Sequence, residues 1–244
     1  MNLTTSHTAL NTELLLAWFF TSIESLDQFS EYEQLQLIIC ASELGYVHPN
    51  IDRKVSEIAG KEESQSMDYV VQFLEQLVMM NYQVGQERQQ HFFDFWISQE
   101  NLRTQSPVTM GYLYGYVLMK ENELSSPALK NEAIQWLKEN DALPSLSFTA
   151  WTVFYLDQNN ERPEAKKRFD ELMSLRMENG SWNNFPKQTI QIAYPLSLTS
   201  FANDQSLQKT KEFILAQSWE GFSGEIPYEI GLIKWLNSHG LIQV

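Results

Sequence analysis

The feature that most constrains this chain is a unit of about forty residues that recurs through its second half, the period at which helical hairpins stack or close on themselves. One member of each unit ends in bulky apolar residues and a short polar exit. The four instances are Phe95-Trp96-Ile97-Ser98-Gln99, Gln135-Trp136-Leu137-Lys138-Glu139, Glu171-Leu172-Met173-Ser174-Leu175 and Phe213-Ile214-Leu215-Ala216-Gln217. Each is followed by a loop and a more uniformly apolar, aromatic-rich stretch, at 107–119, 147–156, 189–201 and 227–236. A helix that is apolar all round must be enclosed, whereas its amphipathic partner can face water. The alternation therefore predicts an inner and an outer layer of helices.

Apolar residues three and four apart dominate the rest of the chain, with few alternating stretches. The spacing predicts helices over 10–26, 30–45, 50–60, 64–81, 86–98, 106–121, 127–139, 146–157, 163–176, 187–202, 206–217 and 226–238. Pro107 and Pro227 fall near helix starts, where the missing N–H costs nothing. Pro195 falls inside a helical run, which it should kink or break. No Pro/Gly/Ser-rich stretch or charge block interrupts the sequence, so a single domain over 1–244 is expected.

The longest early apolar run, 14–20, is far short of the roughly 20 residues of a bilayer span, and no basic residue precedes it as in a signal peptide. The expected location is cytoplasmic, with no membrane span. Acidic residues outnumber basic ones 31 to 17, with no Lys or Arg before Arg53, so a nucleic-acid partner would be repelled. The single cysteine, Cys40, excludes an intrachain disulfide and reads as a buried, inert thiol within an apolar run.

Two connecting loops sharpen the repeat: Glu178-Asn179-Gly180-Ser181-Trp182 and Trp219-Glu220-Gly221-Phe222-Ser223-Gly224. In such a loop glycine takes the left-handed conformation that ends a helix, and the aromatic packs back over the turn. With the helix ends before them, these loops resemble the degenerate repeat of the terpenoid cyclase and protein prenyltransferase superfamily. The resemblance is clearest over 90–238 and implies an all-α fold, an α/α toroid of about six helical hairpins. Of the glutamines that bond between repeats in that family, Gln99 and Gln217 have counterparts here, whereas Leu175 replaces one.

The resemblance also implies a mouth, formed by loops and inner-helix starts, around a central cavity. On this sequence it gathers substrate-binding candidates Glu31, Tyr69, Tyr112, Trp151, Trp182, Gln188, Gln191 and Tyr194, with Ser30, Tyr32, Glu63, Ser66, Ser106, Thr109 and Ser147 beside them. Such a funnel, aromatic with a few acids, suits an apolar ligand. The same aromatics equally suit a filled core. Glu225 and Glu229 are four apart, share a helix face and flank Tyr228, which makes these three the catalytic candidates. An acid in a first helical turn also simply offsets the helix dipole.

Absences narrow the chemistry. The Asp-x-Asp-Asp motif of squalene-type cyclases and the Asp-rich magnesium motif are missing, and Asn203-Asp204 begins the second magnesium motif without completing it. None of His7, His48, His91 or His239 has metal-ligand spacing, so no metal and no cofactor are expected. Glycine-rich phosphate loops and a Gly-x-Ser-x-Gly elbow are absent. Two readings follow. One is a cavity for a hydrophobic small molecule, isoprenoid- or polyketide-like, with or without metal-independent acid/base cyclisation or isomerisation. The other is a non-catalytic helical array that binds a protein partner. Oligomeric state is left open.

Overall fold

The computed structural model describes residues 11–61, 69–83, 107–119, 127–140, 145–217 and 226–244. Among them the regular structure is helical, without strands: α1 (Thr12–Glu24), α2 (Glu31–Leu44), α3 (Pro49–Gly60), α4 (Tyr69–Asn81), α5 (Pro107–Met119), α6 (Pro127–Glu139), α7 (Leu146–Gln158), α8 (Arg162–Ser174), α9 (Pro186–Ser197), α10 (Asp204–Leu215) and α11 (Ile226–Ser238). None of these is long and apolar enough to cross a membrane. The helix expected at 86–98 lies outside the described residues.

Local chemistry sets the boundaries. Ser30 and Glu33 form a capping box at the start of α2, with the Ser30 N–H donating to Glu33 Oε2 at 2.9 Å. Gly45, at φ 69°, ends that helix in the left-handed conformation. Asn203, where the incomplete magnesium motif begins, forms the capping box of α10 with Ser206. Pro195 lies inside α9 near its end. Beyond it the chain tightens to three-residue bonds, Leu198 N to the Pro195 carbonyl at 3.2 Å and Thr199 N to that of Leu196 at 3.1 Å. The helix stops at Ser197 instead of continuing to 202.

The helices pack as two compact units. One contains α1 to α4 and α11. Here α2 is the hub, packing on α4 and α11, and the C-terminal helix also contacts α1. Leu35, Leu37, Ile38, Cys40 and Ala41 of α2 are essentially inaccessible. Burial pushes the Cys40 thiol up to about 12, opposed by the charge of Lys234, which fits the inert thiol expected from sequence. Because the thiol is raised from 9.0, its contribution to stability is complete below pH 9 and fades as pH rises toward about 12. Urea midpoints should therefore fall with pH at a slope of up to ~1.4 kcal/mol per pH unit. The interval just above pH 9 isolates the thiol, because Tyr82 and Tyr228 are raised from 10.0 and Lys61 from 10.5. Cys40→Ala should flatten the slope in that interval. An unchanged slope would contradict the assignment.

The other unit contains α5 to α10. Helices α5, α7 and α9 form one row, with α7 packed on both neighbours, and α6, α8 and α10 each pack on the helix preceding them. Along the chain, members of the row alternate with helices that pack against it. Glycine allows close approach of α5 to α7: a Cβ at Gly111 would meet the Phe148 ring at 2.0 Å, and one at Gly115 the Tyr155 ring at 2.1 Å. Polar contacts tie α8 to α6. Arg168, 2% exposed, donates to Glu164 Oε1 at 3.1 Å and to the Lys138 carbonyl at 2.9 Å.

Candidate functional site

The starts of α7 and α9 lie side by side. Ser145 caps α7, its hydroxyl accepting from the Phe148 N–H at 3.3 Å, and Pro186 supplies the first residue of α9 without needing a partner for an N–H. Between these ends lies an open cleft of about 360 Å³, lined by Ser145, Leu146, Ser147, Phe185, Lys187, Gln188 and Gln191. The volume is at the lower end of small-molecule sites, about 300–1,000 Å³. Its lining is more polar than the aromatic funnel expected from sequence.

The aromatics continue along the same seam. Ser147 Oγ and Gln191 Oε1 meet at 3.5 Å across the two helices. Trp151 and Tyr194 follow one turn on, as i+4 and i+3 spacing requires, with ring centroids 5.8 Å apart in an edge-on arrangement. Trp151 also contacts Phe154 and Tyr155, each at 5.7 Å. Both Trp151 and Tyr194 are half-buried. Tyr112, on α5, is half-buried too and meets the Phe148 ring edge-on at 5.4 Å. A polar rim thus grades into an aromatic stripe.

The loop from α8 to α9 builds one wall. Gly180 has φ +90°, and its N–H donates to the Met177 carbonyl at 2.9 Å, closing a tight turn. Asn179 Oδ1 accepts from the Ser181 N–H and hydroxyl at 3.1 and 2.7 Å. Asn183 and Asn184, both at φ 58°, then swing the chain into α9, and Asn183 Nδ2 donates to Gln188 Oε1 at 3.0 Å.

Trp182 is absent from the cleft lining. Its ring is 0% exposed, with Nε1–H donating to the Leu172 carbonyl at 2.9 Å and the backbone N–H to Thr189 Oγ1 at 3.1 Å. It props the wall from behind.

No family model matches this chain, and no curated protein or solved structure does. The loop's geometry therefore stands on its own physics. The second loop of the repeat, 219–224, lies outside the described residues. Gln217 donates back to the Phe213 carbonyl of its own helix at 2.8 Å.

The remaining candidates belong to the other unit. Glu229 lies in the first turn of α11 and is 2% exposed. Burial, and secondarily the charge of Glu229, raise the Tyr228 hydroxyl above its ordinary range, so it remains a proton donor at neutral pH. Glu225 and the side chain of Tyr69 lie outside the described residues. Glu31 is exposed and takes a hydrogen bond from Lys61 Nζ at 3.0 Å, an ammonium that also donates to buried Glu75. Among the described residues, no three His, Cys, Asp or Glu gather as a metal site.

Sequence reasoning missed Phe185 and Lys187 in the lining, although their position beside Pro186 marks a helix start. Two buried acids also escaped it. One is Glu75, and the other is Asp157, which joins α7 to the turn after α9 by accepting from the Ser200 N–H at 2.6 Å and hydroxyl at 2.7 Å.

Proposed function

We propose that this chain is an α/α toroid that binds a hydrophobic or amphipathic small molecule, isoprenoid- or polyketide-like, along the seam of α7 and α9. The observation carrying this reading is the cleft with its polar rim, from which Trp151 and Tyr194 continue as a half-buried aromatic stripe. A polar ligand head would bond to Ser147, Gln188 and Gln191, and its apolar body would lie over the rings. Acid/base chemistry for cyclisation or isomerisation is assigned separately, to the other unit, where buried Glu229 follows Tyr228, a proton donor, with Glu225 in the same sequence segment.

Native mass spectrometry of the purified protein titrated with farnesol tests this. A one-to-one adduct is expected, and Trp151→Ala should weaken it by about tenfold or more, because removing a ring forfeits ~1.5–3 kcal/mol of apolar contact. Glu229→Gln should keep the adduct and abolish turnover. No adduct, or one indifferent to Trp151, would sink the binding reading; normal turnover by the Glu229 variant would remove that residue from the chemistry.

A second reading, a docking surface for a protein partner, is favoured by Leu175, Met177 and Phe185. These are 58%, 42% and 63% exposed along the α8–α9 connection. Retention of a protein partner without any small-molecule adduct would favour it.

A further inference from the structure

The sequence contains one Asn-Gly pair, Asn179-Gly180, and it lies in the connection between α8 and α9. We propose that Asn179 is a spontaneous deamidation site, held off by the folded connection and released when that connection opens. The inference goes beyond the binding reading and does not rest on it.

In this chemistry the backbone nitrogen of the following residue attacks the side-chain carbonyl carbon. Glycine is the fastest partner because no Cβ hinders the attack. The Gly180 nitrogen forms a bond to Asn179 Cγ as the Cγ–Nδ2 bond breaks. The side-chain nitrogen leaves as ammonia, taking up the proton lost by the Gly180 nitrogen. Water then opens the cyclic imide at one of its two C–N bonds, leaving an aspartate or an isoaspartate at position 179. Solvent supplies the only co-reactant, and Asn179 is exposed to it.

Every reacting group is occupied in the fold. The nucleophile's N–H donates to the Met177 carbonyl at 2.9 Å. The carbonyl to be attacked accepts two bonds from Ser181, and the leaving nitrogen donates to Asn184 Oδ1 at 2.8 Å. Gly180 is itself clamped: its carbonyl accepts from Thr210 Oγ1 at 2.7 Å, and its open side faces the Lys209 carbonyl oxygen, which a Cβ would meet at 2.2 Å. Turning the carbonyl toward the Gly180 nitrogen requires these bonds to break together. The rate is therefore set by how often the connection opens.

The product cannot restore the network. A carboxylate at 179 has no N–H for Asn184 Oδ1, and an isoaspartate inserts a methylene into the main chain beside the Lys209–Thr210 backbone. Conversion is thus expected to leave the connection looser than before.

The test is peptide mass mapping of the full-length protein, aged in mildly alkaline buffer with and without denaturing urea. Conversion at Asn179 should be at least about tenfold slower in the folded protein, in proportion to the open population. Asn184→Ala, which frees the leaving group, and Thr210→Val, which unclamps Gly180, should each speed conversion in the folded protein several-fold while leaving the rate in urea unchanged. Equal rates with and without urea, or folded-state rates unmoved in both variants, would overturn the gate. Failure to convert in urea would overturn the site.

Discussion

Replacing Gly180 with alanine is expected to destabilise the fold by about 2–4 kcal/mol, read as a lower urea midpoint at unchanged slope. Two penalties add. At φ +90° the residue occupies a conformation that strains any L side chain, at a cost of roughly 1–2 kcal/mol. The new methyl would also lie 2.2 Å from the Lys209 carbonyl oxygen and 2.6 Å from the Thr210 nitrogen, and helix backbone cannot step aside as a flexible side chain can. Gly45 provides the control. It has φ +69° but nothing within 4 Å of where a methyl would stand, so Gly45→Ala should cost only the first penalty, about 1 kcal/mol. If the two substitutions cost the same, close packing of the α8–α9 connection against α10 contributes nothing.

These two glycines show what a sequence pattern can and cannot convey. That Gly180 ends a turn in the left-handed region was readable from Asn-Gly-Ser-Trp after a helix end. That α10 lies against it was not, because the contact joins segments thirty residues apart, as the Thr210 bond to the Gly180 carbonyl does. Helices were legible for the same reason the turn was: periodicity and capping are local. Pro195 marks the limit. Its missing N–H was visible, but an apolar run continuing to Phe201 suggested more helix than the chain can sustain once the bonding shifts to three-residue closures.

Site residues divide along the same line. Ser147, Gln188 and Gln191 were legible as helix-start positions, and the structure gathers them in one cleft. Phe185 was not, because it takes the N-cap place of α9 without a side-chain cap bond, where a small polar residue is usual. Buried acids were illegible for a different reason. Nothing local distinguishes Glu75 from a solvated helix acid until Lys61 is brought to it, nor Asp157 until Ser200 is. Trp182 shows the ambiguity most sharply, since an indole suits a ligand wall and a helix-end plug equally well, and the choice depends on which carbonyl its N–H finds.

That choice makes Trp182→Ala the substitution with the largest expected effect. Its ring is 0% exposed, and truncating an enclosed aromatic to alanine costs ~3–5 kcal/mol through lost burial and the cavity left behind. The Leu172 carbonyl, which accepts from the indole N–H at 2.9 Å and from the Leu175 N–H at 3.2 Å, would lose the first of these donors as well. Trp182→Phe separates the two effects: it retains most of the volume and removes the donor, so it should cost about 1–2 kcal/mol. Trp182 and Gly180 brace the same connection, so the double variant Gly180→Ala with Trp182→Ala should be destabilised by less than the sum, with a coupling of roughly 0.5–3 kcal/mol. Simple additivity would mean that the turn and the indole hold the wall independently. Trp182→Phe should also bind farnesol as the parent protein does, because the ring stands behind the cleft. A weakening as large as that of Trp151→Ala would instead place the indole in contact with the ligand.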